Sequence, residues 1–341
     1  MPEFPDVAVY VQKIAERAVG RTLTALRLAS PFFLRTVQPR PTELAGRTLR
    51  DVRRQAKRIV LEFAPRPGED DACFAVVHLM VAGRFRWIEP APAKIPGKLG
   101  LCAFDFAAPA SDASDSAPAL SAGDASGSLI VTEASSKKRA SLHLFSSADQ
   151  LATLDRGGVD IEHASLADFS AALRNERHTL KRSLTDQTLI GGIGNAYSDE
   201  ILHAAKLSPL QMSTHLSDAE IERLYHCARE VLWHWRDVIA AEPGFPERVT
   251  AFREGMAAHG RYGKACPTCG ATIQRIVYAD NETNYCADCQ TGGKLLADRS
   301  LSRLLGADWP KNLDELENAR PAAQLPANPA RSTKPARKKN A

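Results

Sequence analysis

The chain has 341 residues, of which 44% are hydrophobic and 25% charged, which predicts a globular protein with room for two or three cores. No apolar run reaches about eighteen residues and charges interrupt the N-terminus, which excludes a membrane span and a secretory signal and predicts a cytoplasmic protein. The net charge is +4, but residues 320–341 hold six basic residues and no acid, which leaves about −2 on the rest. A nucleic-acid partner would therefore need a local basic face.

The first predicted element is a helix that begins at Pro5 and ends near Gly20. Proline suits the first turn of a helix, and glycine suits its end. The apolar residues of this stretch recur at steps of three and four, the spacing of one buried helix face, and they are Phe4, Val7, Val11, Ile14 and Ala18.

Pro2 and Glu3 stand just ahead of this helix. Removal of Met1 would give Pro2 a free secondary amine beside the positive end of the helix, which lowers the pKa of an α-amine from about 8. Such an amine attacks a sugar or carbonyl carbon to form an iminium, with Glu3 as a possible proton donor. The alternative is an ordinary frayed terminus, which these two residues alone favour.

Residues 22–145 alternate short apolar stretches with turns, which predicts a β-sandwich. Lys57 lies at the tip of a basic stretch that is either a charged sheet edge or a loop aimed at an anion. The turn that contains Arg139 is either a hairpin tip or a phosphate contact. Residues 107–128 lack large apolar side chains and predict a disordered insertion. Strands are expected at 22–29, twice within 47–63, twice within 73–89, and at 99–106, 129–132 and 140–145.

Helical spacing follows from about residue 150, in segments at 166–175, 179–190, 196–207 and 218–235. The glycine-rich turn at 191–195 separates the second and third segments, and Asn195 is placed to cap the next helix. A turn of this kind offers N–H groups to a phosphate, and a plain tight helix–helix turn is the equal alternative.

The strongest local signal is a pair of CxxC motifs that are sixteen residues apart. This spacing predicts one structural zinc held by four thiolates on a β-hairpin with its turn near 279–281. The four expected ligands are Cys266, Cys269, Cys286 and Cys289, whereas the apolar surroundings of Cys73, Cys102 and Cys227 place those three in the core. Residues 291–305 predict a short amphipathic helix, and a disordered basic tail follows.

Five motifs together resemble the formamidopyrimidine-DNA glycosylase / endonuclease VIII family of DNA-repair enzymes. They occur in the family's order between residues 1 and 290, and they are MPEFPDV, QAKRIVLEF, HLMVAGRFRW, LTDQTLIGGIGNAYSDEIL and CPTC…YCADCQ. The resemblance implies an α+β multidomain fold whose partner is damaged double-stranded DNA, bound in a central cleft by a monomer. The implied parts are an N-terminal helix with an antiparallel β-sandwich (1–149), a helix–two-turns–helix domain (150–255), a zinc-ribbon hairpin (256–290), and a short helix with a basic tail (291–341).

The resemblance also implies the residue roles. Pro2 would attack C1′ of a damaged nucleotide flipped out of the duplex, and the base would leave. A Schiff base would then join protein to DNA, and elimination of the 3′ phosphate would nick the strand. Glu3 would protonate the sugar oxygen, and Lys57 would hold a phosphate and assist elimination. Further phosphate contacts are implied for Gly194, Asn195 and Lys181.

Phe4 and Asp6 are mild departures from the leucine and glutamate that the family usually has, and the chain departs further from the family pattern at three places. The family's HLGMSG is HLMVAG here, so Val81 replaces the methionine that fills the space left by the flipped base, and Met80 is one step away. The DPRRFG turn is TEASSKKRASLH, in which Arg139 is the candidate arginine. The zinc-hairpin arginine, a DNA contact, falls on Asn281, which puts the second elimination in doubt.

We therefore predict a base-excision-repair DNA glycosylase with AP lyase activity. Phe4 stands where endonuclease VIII types have glycine, which favours oxidised purines such as formamidopyrimidine and 8-oxoguanine as substrates. Two alternatives stay open, an endonuclease VIII-like enzyme for oxidised pyrimidines or abasic sites, and a lesion-binding zinc protein without catalysis. Retention of Met1 would favour the last, because Pro2 would then lack a free amine.

Overall fold

The computed structural model describes residues 1–109, 125–247, 253–278, 281–296, 306 and 309–318. Most of the predicted insertion and of the predicted basic tail lies outside these ranges. Within them, no helix is both long and apolar enough to cross a membrane.

The first helix, α1, spans Phe4–Ala18, and it begins one residue earlier than the position of Pro5 predicts. The carboxylate of Asp6 accepts the backbone N–H of Glu3 at 3.0 Å, which satisfies one of the unpaired donors at the helix start. After the last turn, Gly20 adopts a φ of +84°, which is accessible to glycine and lets the chain reverse into the first strand.

Two four-stranded antiparallel sheets form the predicted sandwich. Sheet 1 has the strand order β1–β6–β7–β5, and sheet 2 has the order β2–β3–β4–β8. Large apolar side chains from both sheets meet in one buried cluster. The strands are β1 (Leu23–Leu28), β2 (Leu49–Gln55), β3 (Arg58–Phe63), β4 (Cys73–His78), β5 (Gly83–Ile88), β6 (Gly100–Phe106), β7 (Gly127–Glu133) and β8 (Ser141–Phe145).

The start of β7 corrects the predicted insertion, since Gly127 and Ser128 already pair with β6 and β5. The indole of Trp87 lies where a Cβ of Gly127 would be, within 2.0 Å, so this position accepts only glycine without rearrangement. The insertion therefore ends before residue 127.

A helical layer packs beside the sandwich. It is built from α2 (Ala148–Ala152), α3 (Leu166–Asn175), α4 (Leu180–Thr185), α5 (Asn195–Ala204) and α6 (Asp218–Ala240), with a two-stranded parallel pair, β9 (Val159–Asp160) and β10 (Ile190–Gly191). The segment predicted as one helix at 179–190 is shorter than expected. Asp186 ends α4, because its side chain accepts the N–H and the hydroxyl of Thr188 and so favours a turn over a further helical turn.

The C-terminal part is a hairpin of β11 (Ile273–Tyr278) and β12 (Asn281–Cys286), followed by α7 (Ala287–Thr291) and, after a gap, α8 (Leu313–Asn318). Asn281 pairs with Tyr278 as the first residue of β12, and not as part of the turn. The helix predicted from residue 291 is also corrected. Helix α7 ends at Thr291 because Gly292 adopts a φ of +62°, and residues 297–305 lie outside the described ranges.

Helix α1 belongs to two cores at once. Val7 and Ile14 are buried in the sandwich cluster, whereas Phe4 is buried in the cluster of the helical layer, where its ring stacks on Trp233 at 4.8 Å between centroids. On the far side of α1, the Tyr10 hydroxyl and the Lys13 ammonium donate to backbone carbonyls of residues 242–246. The segment after α6 therefore holds α1 in place through these hydrogen bonds.

The Asp6–Arg253 ion pair closes this junction. The guanidinium of Arg253 lies 3.0 Å from a carboxylate oxygen of Asp6 and 3.0 Å from one of Glu242, and the side chains of Arg253 and Asp6 are each 3% exposed. Charges this deeply buried need their partner, because neither can recover the hydration that it has lost.

Arg253→Met should lower the free energy of unfolding by about 3–5 kcal/mol, because it leaves the Asp6 carboxylate buried without its cation. Adding Asp6→Asn should return much of the loss, since the amide keeps a hydrogen-bond acceptor for Glu3 without the charge. Urea unfolding of the two variants and the parent measures both values, and a double variant no more stable than Arg253→Met would contradict the assignment.

Candidate active site and zinc centre

The carboxylate of Glu3 sits on the N-terminus of α5. It accepts the backbone N–H groups of Gly194 at 2.7 Å, Ala196 at 3.0 Å and Tyr197 at 3.2 Å, and Glu3 is 2% exposed. These donors have no partner within the helix, and the helix dipole favours a negative charge there. The predicted phosphate-binding N–H of Gly194 is therefore bound to a protein carboxylate in this structure.

Gly194, rather than Asn195, is the residue that caps α5, which corrects the predicted cap. A Cβ at Gly194 would lie 2.5 Å from the carboxyl carbon of Glu3 and 2.8 Å from the ammonium nitrogen of Lys57. Only glycine leaves room for both groups, and for this reason the capping position carries no side chain.

Lys57 lies in the tight turn between β2 and β3, next to Ala56, whose φ is +52°. It is only 7% exposed, so the turn is not the solvated charged edge that the sequence also allows. Burial lowers the pKa of the Lys57 ammonium, and the neighbouring Glu3 carboxylate opposes that shift. The structure thus brings Glu3 and Lys57 together around Gly194.

The chain terminus lies in the same place. Pro2 is buried, and burial lowers the pKa of the terminal α-amine at Met1 while the carboxylates of Glu3 and Asp6 raise it. Met1 and Lys57 line a cleft of about 360 Å³ between the sandwich and the helical layer. Lys57, which is more than fifty residues from Pro2 and Glu3 in the sequence, therefore lies near the chain terminus.

Basic side chains outnumber acidic ones in the walls of the cleft. The basic residues are Arg54, Lys57, Arg58 and Arg156, the acids are Asp155 and Asp160, and His78 lies among them. Burial and the nearby Arg58 and Lys57 lower the pKa of His78 to about 4, so its imidazole is neutral at pH 7 and can accept as well as donate a hydrogen bond. A cleft with this lining suits an anion such as a phosphate diester.

Met80 also lines the cleft, with a φ of +51° that non-glycine residues rarely adopt. Val81 stands where the family has the methionine that fills the space left by the flipped base, and it is 54% exposed. The strain at Met80 is of the order of 1–2 kcal/mol and is tolerated because the surrounding turn fixes the backbone.

Asn195 and Lys181 are more constrained than the sequence suggests. The side-chain amide of Asn195 donates to the carbonyl of Glu282 at 2.9 Å, which joins α5 to the hairpin. The Lys181 ammonium lies 2.5 Å from the buried carboxylate of Asp199 and 2.7 Å from the carbonyl of Asn195. Part of its positive charge is therefore neutralised within the protein.

Arg139 lies on the surface turn before β8. Its backbone N–H and that of Ala140 donate to the two carboxylate oxygens of the buried Glu133, at 3.0 and 3.1 Å, which fixes the turn.

Asn281 occupies the start of β12, and its side chain lies outside the part of the chain that the structure describes.

The four predicted cysteines converge. Their sulfur atoms all lie within 4.8 Å of one another, with 3.9 Å between Cys266 and Cys289 and 3.4 Å between Cys269 and Cys286. Four thiolates around one zinc are about 3.8 Å apart, so this group fits a structural Zn²⁺ with all positions filled by the protein. Cys73 and Cys102 are buried elsewhere, as predicted, whereas Cys227 is only partly buried against the helical cluster, which corrects its predicted core position.

Several supporting residues have no local sequence signal. The Nε2 of His203, at the end of α5, lies 3.2 Å from the sulfur of Cys266. The carboxylate of Glu200 accepts the N–H groups of residues 257–259, and Asp199 accepts from His259 and from the backbone of Asn284. In the sequence, the only local signal of these contacts is the presence of two adjacent acids, Asp199 and Glu200, within α5.

Comparison with known proteins agrees with this arrangement. Three family models match: the formamidopyrimidine-DNA glycosylase N-terminal domain over residues 1–114, its H2TH domain over 158–235, and the zinc finger found in FPG and IleRS over 263–292. Formamidopyrimidine-DNA glycosylase of Chloroflexus aggregans is 30% identical over 306 residues, which cover 85% of this chain and 98% of that protein. An uncharacterized formamidopyrimidine-DNA glycosylase-like protein of Mycobacterium tuberculosis is 41% identical over 150 residues, which cover 43% of this chain and 93% of that protein.

Among solved structures, a point mutant of Lactococcus lactis FPG in complex with a Fapy-dG-containing DNA superimposes with a TM-score of 0.68 at 25% identity, covering 85% of this chain and all of that one. The sandwich, the helical layer and the four-cysteine hairpin define a base-excision-repair DNA glycosylase with a zinc finger. The chain belongs to the formamidopyrimidine-DNA glycosylase family, whose members are also AP lyases.

Gly194→Ala should slow Schiff-base formation on abasic-site DNA by about 100-fold, since the new methyl group displaces Glu3 and Lys57 by roughly an ångström. Gly97→Ala is the control, because Gly97 does not line the cleft and its Cβ would meet no atom within 4 Å. Single-turnover trapping with borohydride measures the rate. Equal rates for the two variants would show that the close packing around Gly194 is not needed for reaction.

Proposed function

We propose that this protein removes oxidised purines from double-stranded DNA and nicks the strand through a Schiff base on Pro2. The observation that carries the proposal is the position of the chain terminus, since Met1 and Lys57 line one cleft and the side chains of Glu3 and Lys57 both lie beside Gly194. An α-amine is in part a free base near neutral pH, and removal of Met1 would leave Pro2 with a secondary amine.

The proposed reaction has two stages. The Pro2 nitrogen bonds to C1′ of the flipped nucleotide, the glycosidic bond breaks, and the damaged base leaves. The sugar ring opens as O4′ takes a proton, which leaves an iminium between the protein and C1′. Loss of a proton from C2′ then expels the 3′ phosphate from C3′, and water later releases the enzyme from the sugar.

Glu3 and Lys57 flank the amine in this scheme. The carboxyl group of Glu3 is the proposed proton donor to O4′, and the three N–H groups of α5 fix its position. Lys57 is the proposed phosphate ligand and the group that assists elimination. Its ammonium is buried, and a buried charge is stabilised when it pairs with an anion such as a phosphate.

Five further residues complete the proposed DNA contacts. They are the side chains of Asn195, Lys181 and Arg139, the glycine-rich turn at Gly194, and Asn281 at the start of β12. The proposed domains comprise residues 1–149, 150–255, 256–290 and 291–341. The preference for oxidised purines over pyrimidines follows from Phe4, where endonuclease VIII types have glycine.

Borohydride should trap a covalent complex between the protein and an oligonucleotide with an abasic site. The trapping rate should rise with pH and then reach a plateau, because the attacking species is the unprotonated amine. Pro2→Gly retains a primary amine and should trap more slowly, whereas one extra residue ahead of Pro2 should abolish trapping.

Two results would contradict this assignment. Undiminished trapping by the extended protein would identify a lysine as the nucleophile. An intact Met1 in the mass spectrum of the active protein would leave Pro2 without a free amine.

The enzyme should stop largely after the first elimination and leave an unsaturated aldehyde at the 3′ end. An arginine at the hairpin tip would bind a phosphate with two charge-assisted hydrogen bonds, whereas Asn281 offers only neutral ones. Asn281→Arg should therefore raise the share of 3′-phosphate product and steepen the fall of log K with log salt by about one released ion. Gel mobility separates the two ends, and mostly 3′ phosphate from the parent protein would show that another group, such as Arg275, serves this step.

A further inference from the structure

The imidazole of His203 is a buried polar group that the proposed reaction does not use. His203 lies in the last turn of α5 and is 6% exposed. Its Nε2 is 3.2 Å from the sulfur of Cys266, a residue 63 positions later in the chain, which is within hydrogen-bonding distance for a sulfur acceptor. One side chain of the helical layer therefore touches the four-cysteine group directly.

The chemistry of a zinc site decides the direction of this hydrogen bond. A cysteine that binds zinc is a thiolate, which carries no hydrogen and can only accept. The Nε2 of His203 therefore carries the hydrogen and donates it to the sulfur of Cys266. The four sulfur atoms, all within 4.8 Å of one another, already fill the positions of a tetrahedral site. His203 is thus a donor to a metal ligand and not itself a ligand.

The sulfur atoms of this group differ in their access to water. Cys266 and Cys286 are 3% and 0% exposed and pack with the apolar Ile273, whereas Cys269 is exposed and can be hydrated. Four thiolates around one Zn²⁺ have a net charge of about −2, and buried negative charge is costly unless hydrogen bonds satisfy it. The buried sulfurs therefore depend on N–H groups of the protein.

The side-chain donor to Cys266 comes from outside the hairpin. Within the CxxC loop, the backbone N–H of Thr268 donates to the same sulfur at the longer distance of 3.4 Å. In the ranges that the structure covers, no other side chain from outside the hairpin and α7 is hydrogen-bonded to any of the four sulfurs. Loss of the imidazole would leave the sulfur of Cys266 with backbone donors alone.

Helix α5 and the hairpin are also joined by contacts that do not involve the imidazole. The Glu200 carboxylate accepts the N–H groups of residues 257–259. Beside the cysteines, the side chain of Gln290 donates to the carbonyl of Leu207 at 2.9 Å and accepts the N–H of Cys286 at 2.8 Å. These contacts keep the hairpin on the helix when the imidazole is replaced, so an effect on the metal can be measured separately.

We propose that His203 stabilises the bound zinc by donating its Nε2–H to the thiolate of Cys266. Groups that hydrogen-bond to the ligands of a metal fix the ligand geometry, and their loss costs about 10–100-fold in metal affinity. The inference goes beyond the proposed reaction, since it concerns retention of the metal and not the chemistry at Pro2. The alternative is a buried histidine that only fills space at the end of α5.

His203→Phe tests the hydrogen bond, because phenylalanine keeps a ring and removes the N–H. In competition with a chromogenic chelator, we expect this variant to bind zinc about 10–100-fold more weakly than the parent. His203→Gln, whose amide nitrogen reaches about as far as Nε2, should retain most of the affinity. His226→Phe is the matched control, since it makes the same replacement on α6, where the side chain is 59% exposed, and it should bind zinc like the parent.

Cobalt(II) in place of zinc gives a spectroscopic test of the same bond. The charge-transfer band from thiolate to cobalt should move to lower energy in His203→Phe, because a thiolate that has lost a hydrogen bond gives up an electron more readily. The visible bands that report a tetrahedral set of four sulfur ligands should stay unchanged. Replacement of a histidine that only fills space would move neither band.

Equal zinc affinity and equal charge-transfer energy for His203→Phe and the parent would overturn the inference. Changed visible bands would also overturn it, because they would show that His203 binds the metal itself. If His203→Phe does not fold, His203→Asn takes its place, since asparagine keeps the amide but draws its nitrogen back from the sulfur. Equal zinc affinity for His203→Asn and His203→Gln would then contradict the hydrogen bond. None of these measurements uses DNA, so their outcome is independent of the proposed function.

Discussion

The contact on which the site depends is the one between the Glu3 carboxylate and the first turn of α5. Residues 3 and 194 are 191 positions apart, and three backbone donors meet one carboxylate there with almost no solvent. The helix needs an acceptor at its open end, and the chain terminus needs a fixed support. Each requirement is met by the other element, which explains how a terminal segment, ordinarily the most mobile part of a protein, is held in place.

Helix α5 then relates the terminus to the zinc hairpin. Its ten residues span about 15 Å, with Glu3 at one end and the His203–Cys266 contact at the other. Between them, Asp199 and Glu200 collect backbone and side-chain donors from residues 257–259 and from β12. A buried acid is costly without partners, so these contacts fix the hairpin relative to the amine as well as stabilise the helix.

Local patterns predicted much of this fold. Helix α3 occupies the predicted residues 166–175, and the CxxC spacing led directly to the four-cysteine group, because in both cases the signal lies in neighbouring residues. Helix α4 was predicted too long because apolar spacing does not register the turn-forming side chain of Asp186. Gly194 rather than Asn195 caps α5 because Glu3, from the other end of the sequence, takes the place of a capping side chain. The Asp6–Arg253 pair could not be predicted, since its partners are 247 residues apart and neither has a distinctive local pattern.

The burial of Pro2 also sets an order of events during synthesis. Helix α1 is among the first segments made, yet its contacts with Gly192, Pro246 and Arg253 involve residues that are translated about 190–250 positions later. At 5–20 residues per second this leaves roughly 10–50 seconds in which the terminus is accessible. Once α1 docks, Pro2 is buried and the methionine ahead of it is half-buried at the cleft. The proposed reaction requires removal of Met1, and we therefore expect this cleavage to take place on the growing chain, before α1 docks.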